Sequence, residues 1–213
     1  MIVTIEKQKK GDRYNIFADG EFYSGICLDQ VVKYNIKNNI ELDEAKLEKI
    51  VLESETFFAF NKVLKYISKS MKSELDVRNY LKQKQFSEKV IEKVVEKLRE
   101  YSYLDDKIYA KSYVETYKNK YGKNKLKINL KNKGISEEIV NEFLEFDEDE
   151  EIENIKKLIL KQTKNKSLDI KVKQKIYRNL QSKGYSFDCI KKGFNLLGEE
   201  NESWDWFDWN WQV

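Results

Sequence analysis

Three stretches of this chain superimpose on one another without gaps, and that self-similarity limits the fold more than any other feature. They run over 77–91, 126–140 and 176–190, a spacing of about 50 residues, the size of a helical-repeat unit. In each, Val77, Leu126 or Ile176 stands four residues before Leu81, Leu130 or Leu180, on one face of a helix. The helix then has to stop without proline, because the chain has none. Gly134 and Gly184 suit the left-handed position after a helix end, and Gln85 is the poorer occupant in the first copy. Ser87, Ser136 and Ser186 follow as N-caps of a further helix. Phe86, Ile135 and Tyr185 precede those caps, with Ile91, Val140 and Ile190 one turn inside. That spacing predicts a hydrophobic staple fixing the angle between the two helices.

A further apolar helix precedes each pair, over 57–67, 108–117 and 152–159. The unit is therefore three helices. One unit buries its faces poorly, so neighbours are expected to stack into an elongated, curved array. The start of the chain reads differently. Ile2 to Ile5 and the aromatic runs flanking Asp19-Gly20 predict about three strands, with Asp-Gly as a hairpin turn. Asp43 is placed to cap the helix that follows. The expected division is a small sheet plus helix over 1–54 and repeats at about 55–104, 105–147 and 148–198. Residues 199–213 form an acidic tail carrying Trp204, Trp206, Trp209 and Trp211. The fold class is mainly α. The tail is either an interaction segment or a stretch that folds back on the protein's own basic surface.

Composition narrows the chemistry. There is no histidine, and Cys27 and Cys189 are the only cysteines. Zinc sites and Ser-His or Cys-His catalysis lose their usual ligands and base, so no metal, cofactor or catalytic residue is expected. The cysteines read as buried thiols in a reducing compartment. The N-terminus is charged too early for a signal peptide and no apolar run approaches a membrane span, so a cytoplasmic protein is expected. Charge lies in blocks: 107–133 and 156–192 are basic, and 145–153 and 199–213 are acidic. Much of the lysine is ordinary solvated helix surface, and arginine occurs only at 13, 78, 99 and 178.

The repeat residues and the joint between the first two copies carry a family resemblance. Tyr103-Leu104-Asp105-Asp106 with Tyr109, Ala110, Tyr113 and Val114 is one signature element. Gly122, Leu126, Leu130, Lys133, Gly134 and Ile135 form a second; Ser73-Glu74-Leu75 a third; Leu180, Lys183, Gly184, Tyr185 and Ser186 a fourth. In this order and spacing, over roughly 55–197, they resemble the RecX family of RecA regulators. Asn129 departs from the usual Glu, and Gln85 from the usual Gly. The resemblance implies a non-catalytic protein that lies in the groove of the RecA–DNA filament, bridges neighbouring recombinase subunits and modulates recombination, DNA repair and the SOS response. Single-stranded DNA inside that filament is a further implied contact, and the protein is expected to be a monomer.

The residues themselves leave rivals. Asp105-Asp106 precedes a helix and reads first as capping, second as partner contact. Tyr113, Val114 and Tyr117 read as repeat packing. The expected partner surface is Lys123, Lys125, Lys127, Lys131 and Lys133 with Lys171, Lys173, Lys175 and Arg178, since residues between the apolar positions of the middle helix point outward. An autonomous nucleic-acid binder is the alternative. It is disfavoured because the stapled helices begin with Glu88, Glu137, Glu138 and Asp188, poor entries into a groove. An enzyme is the least favoured class.

Overall fold

The computed structural model describes residues 1–9, 11, 13–145, 147–163 and 170–197. The expected tail, 199–213, lies outside the described residues. Those described fall into two compact units divided between Asp106 and Lys107.

The first unit opens with an antiparallel sheet in the order β3-β2-β1-β4, from β1 (Ile2–Lys7), β2 (Arg13–Ala18), β3 (Glu21–Cys27) and β4 (Ile40–Glu41). The β2–β3 hairpin turns at Asp19 and Gly20, with φ of 51° and 87°. Two successive positive φ values are what an Asp-Gly turn of the mirror type requires. The two-residue β4 is one strand more than the sequence predicts. α1 (Leu28–Lys33) leads on, and α2 (Glu44–Ile67) begins at Asp43, whose carboxylate accepts the Lys46 N–H at 2.7 Å.

α2 is one uninterrupted helix across the boundary expected between 54 and 55. Its first half buries Leu47 and Ile50 with Val3, Ile16 and Ile26 of the sheet. Its second half buries Ala59 and Val63 in the first repeat. Between them Ser54 is fully buried and accepts the Cys27 N–H at 2.7 Å, tying the end of β3 to the helix.

The first repeat adds α3 (Glu74–Gln83) and α4 (Glu88–Glu100). Val77, Leu81, Val90, Ile91, Val94, Val95 and Leu98 make its core. The second unit holds the other two repeats. They are α5 (Asp106–Tyr117), α6 (Lys123–Asn132) and α7 (Glu137–Phe143), then α8 (Glu148–Gln162), α9 (Ile170–Ser182) and α10 (Phe187–Asn195). The second core gathers Ala110, Val114, Leu126, Leu130 and Val140; the third gathers Ile155, Ile159, Ile176, Leu180 and Ile190. The same corner joins the last two helices every time. Gln85, Gly134 and Gly184 have φ of 62°, 78° and 88°. Phe86, Ile135 and Tyr185 donate their N–H groups to Leu81, Leu130 and Leu180. That bond back across the end of the helix satisfies carbonyls with no helical partner. Ser136 and Ser186 accept the N–H groups of Ile139 and Cys189, while the Ser87 side chain makes no capping bond. Both cysteines are free and buried, and no helix is long and apolar enough to cross a membrane among the described residues.

Candidate functional site

The middle helices α3, α6 and α9 carry the expected basic residues, and their geometry sorts these into distinct groups. At about 100° per residue, Lys123, Lys127 and Lys131 share one flank of α6. Lys125 and Lys133 take the other, and Asn124, Ile128 and Asn132 lie opposite the buried Leu126 and Leu130. The nine candidate residues are therefore not one outward face.

Lys127 and Lys131 lean sideways toward α7, each placing its ammonium 3.1 Å from Glu137. The first repeat repeats this. Arg78, equivalent to Lys127, forks onto Glu92 at 2.6 and 3.0 Å and reaches Glu88 at 3.9 Å. Lys82, equivalent to Lys131, meets Glu88 at 3.4 Å. Hydrogen bonds from Lys131 and then Lys127 hold the Glu137 carboxyl below its ordinary range, and the bond from Arg78 does the same for Glu92. The cations are tethers between middle and third helix, a role that reading one helix at a time misses.

The third repeat differs at that joint. Tyr177 stands where Arg78 and Lys127 do, and Phe187 where Glu88 and Glu137 do. Their rings meet edge to face at 6.2 Å. Lys171, Lys175 and Arg178 form a separate exposed stripe of α9, with no ion pair among the described residues, while Lys173 is half-buried on another flank. Lys123 has an exposed side chain, and its backbone N–H is held by Glu151 at 3.0 Å.

The two repeats of the second unit meet through backbone. Gly122 caps α6 and donates its N–H to the Lys183 carbonyl at 3.0 Å. A Cβ at Gly122 would sit 2.7 Å from the backbone of Gly184, and one at Gly184 would sit 2.3 Å from the Lys125 nitrogen. Neither position accepts a side chain without moving main chain.

Asp106 behaves as a cap, but for another helix. Its carboxylate accepts the N–H of Glu74, the first residue of α3, at 3.0 Å. Burial raises its pKa, against the lowering effect of that bond. Glu74 in turn bridges Arg78 at 2.9 Å and Arg99 at 2.6 Å. Of the expected packing tyrosines, Tyr113 accepts a hydrogen bond from Asn129 at 3.0 Å, joining α5 to α6. Tyr66 and Tyr80 stack at 4.2 Å across α2 and α3 in the first repeat. Among the described residues no group of three His, Cys, Asp or Glu side chains is arranged to hold a metal.

Family models match in the order in which these elements occur. The RecX first three-helix domain matches 59–98, the second 105–144 and the third 148–193, and the regulatory protein RecX N-terminal domain matches 1–43. This chain belongs to the RecX family. It is 36% identical over 207 residues to regulatory protein RecX of Bacillus velezensis, covering 94% of this chain and 79% of that one. It is 36% identical over 203 residues to regulatory protein RecX of Clostridioides difficile, covering 92% and 95%. A crystal structure of regulatory protein RecX superimposes with a TM-score of 0.65 at 29% identity, covering 91% and 98%. RecX from Lactobacillus salivarius gives 0.60 at 28% identity, covering 67% of this chain and 96% of that one. Within the RecX pattern, Gly122 and Gly184 now have a physical reason: they let two repeats approach at the backbone.

Proposed function

We propose that this RecX-family chain is a regulator that binds the RecA–DNA filament and modulates recombination and repair, without chemistry of its own. Membership in a family of regulatory proteins supports the reading. The observation that carries the contact surface is the exposed Lys171, Lys175 and Arg178 stripe. These cations lie at i, i+4 and i+7 of α9, so their potentials add on one face. Lys123 and Lys125 extend the basic character of this unit, and Lys133 and Lys173 are supporting candidates from half-buried positions. Lys127 and Lys131 are secondary, because Glu137 already holds them. A filament offers repeated copies of its surface, so modest contacts to neighbouring subunits sum. The partner is the recombinase filament, single-stranded DNA within it a second contact, and the acting species a cytoplasmic monomer.

The test is co-sedimentation with RecA–single-stranded DNA filaments, with naked DNA as control, across a salt series. Lys171→Glu, Lys175→Glu and Arg178→Glu together should weaken filament binding at least tenfold near 0.1 M salt and leave helicity unchanged. Screening at a Debye length of about 10 Å makes the parent's binding salt-sensitive. Full binding by the reversed protein at every salt concentration refutes this surface. Equal retardation of naked DNA would favour the autonomous nucleic-acid binder, a reading opposed by the acidic starts of α4, α7 and α10.

A further inference from the structure

The aromatic joint of the third repeat leaves a groove without counterpart in the chemistry of the other two. It lies between α6 and the α9–α10 corner and has a volume of about 500 Å³. Ile128, Tyr177 and Phe187 line it, with Lys125 and Gln181 at the polar side. Ile128 is 54% exposed and Phe187 45%. At Phe187 the first two repeats carry glutamates that hold cations. Here the lining holds one cation and no carboxylate, so the site suits an occupant with aromatic side chains and negative charge.

We propose that the occupant is this chain's own C-terminal segment, 199–213. The segment has four tryptophans and one phenylalanine, five carboxylates and no cation. The surface it would meet is the opposite: 170–197 carries seven Lys or Arg against the single Asp188. Reach is sufficient. Phe187 opens α10, and its nine residues rise roughly 13 Å in all. Trp204 follows Leu197 by seven residues, a span of roughly 23 Å when extended. Tethering so close to the groove gives an effective concentration in the millimolar range, so weak contacts suffice. Indole rings fill the gap beside Ile128 and Phe187, and the flanking carboxylates face Lys125 and its basic neighbours. The inference does not depend on which macromolecule the protein regulates.

The full chain carries its own probe, because all four tryptophans lie between 204 and 211. Tryptophan emission and acrylamide quenching therefore report this segment alone. Docking predicts blue-shifted emission and quenching at least twofold weaker than that of a free 199–213 peptide. Phe187→Glu gives the third repeat the residue found at 88 and 137, removes the ring and repels the segment. Ile128→Glu places a charge on a side chain already more than half in water. Each should red-shift the emission and restore quenching to the peptide value, with circular dichroism unchanged; if Phe187→Glu unfolds, Ile128→Glu decides alone. Peptide-like emission in the parent overturns the proposal. So does shielded emission that neither variant moves, which would put the segment on another surface. Shielding that is lost on dilution would also overturn it, by assigning the contact to a second copy.

Discussion

Replacing Gly184 with Ala tests the packing of the second and third repeats, and Gly134→Ala is its internal control. Both glycines close a middle helix with positive φ, 88° and 78°. An L-residue in that conformation costs about 1–2 kcal/mol, partly offset by the lower unfolded-state entropy of alanine, about 0.4–1 kcal/mol. Gly134→Ala is expected to cost about 1 kcal/mol on those grounds. Gly184→Ala carries the same term and a second one. The new methyl would lie 2.3 Å from the Lys125 nitrogen and 2.5 Å from its Cβ. Relieving such overpacking by backbone shifts costs about 1–3 kcal/mol, so the expected total is about 2–4 kcal/mol. Gly122→Ala isolates the contact, because its φ is an ordinary −77°, and should cost about 1–3 kcal/mol. Combining Gly122→Ala with Gly184→Ala should cost less than the sum, since one separation of the two turns relieves both clashes. Urea unfolding followed by far-ultraviolet circular dichroism measures all four proteins. Equal losses for Gly134→Ala and Gly184→Ala, or a Gly122→Ala protein within 0.5 kcal/mol (about the ordinary scatter of surface substitutions) of the parent, would refute the close approach.

Two further outcomes follow from the same joints. Gln85 holds a φ of 62° where the other repeats have glycine, so Gln85→Gly should stabilise by up to about 1 kcal/mol; a loss in thermal unfolding would show that the Gln85 side chain contributes more than its backbone costs. Glu92 and Glu137 have folded-state pKa values below their ordinary 4.5, so the stability they contribute is present above pH 4.5 and is lost as pH falls through the lowered values; urea midpoints measured downward from pH 6 should fall less in a Glu92→Gln, Glu137→Gln protein than in the parent.

Much of this was legible because the repeat writes local rules three times. The corner residues Gln85, Gly134 and Gly184, the serine caps and the stapled apolar pairs each follow from backbone preference within a few residues. The Asp19-Gly20 hairpin is equally local. What escaped is what spans segments. Nothing between Glu44 and Ile67 distinguishes a helix that serves two cores from two shorter ones, so the division near 54 had no physical mark in the sequence. β4 is too short to alternate. Asp106 caps α3 from 32 residues away, beyond any local rule. The sideways lean of Lys127 and Lys131 was readable in principle: stacking the repeats in columns puts a cation at 78, 82, 127 and 131 opposite a glutamate at 88 and 137. Reading α6 by itself sends the same lysines outward.

That column comparison also divides the work among the repeats. In the first two, cations at the middle helix are engaged by the third helix, and solvent-exposed pairs of this kind add little net stability. Their value lies more in fixing how the helices meet than in stability. In the third, Tyr177 and Phe187 do that orienting with apolar area. The exposed cations of α9 stand in other columns, on Lys171, Lys175 and Arg178, away from that joint. Solvation of the helices alone gives no reason to change the joint in one copy to a pair of rings that line a groove. The aromatic joint stands in the repeat that immediately precedes the acidic, tryptophan-bearing segment 199–213, which is where the proposed docking of that segment would use it.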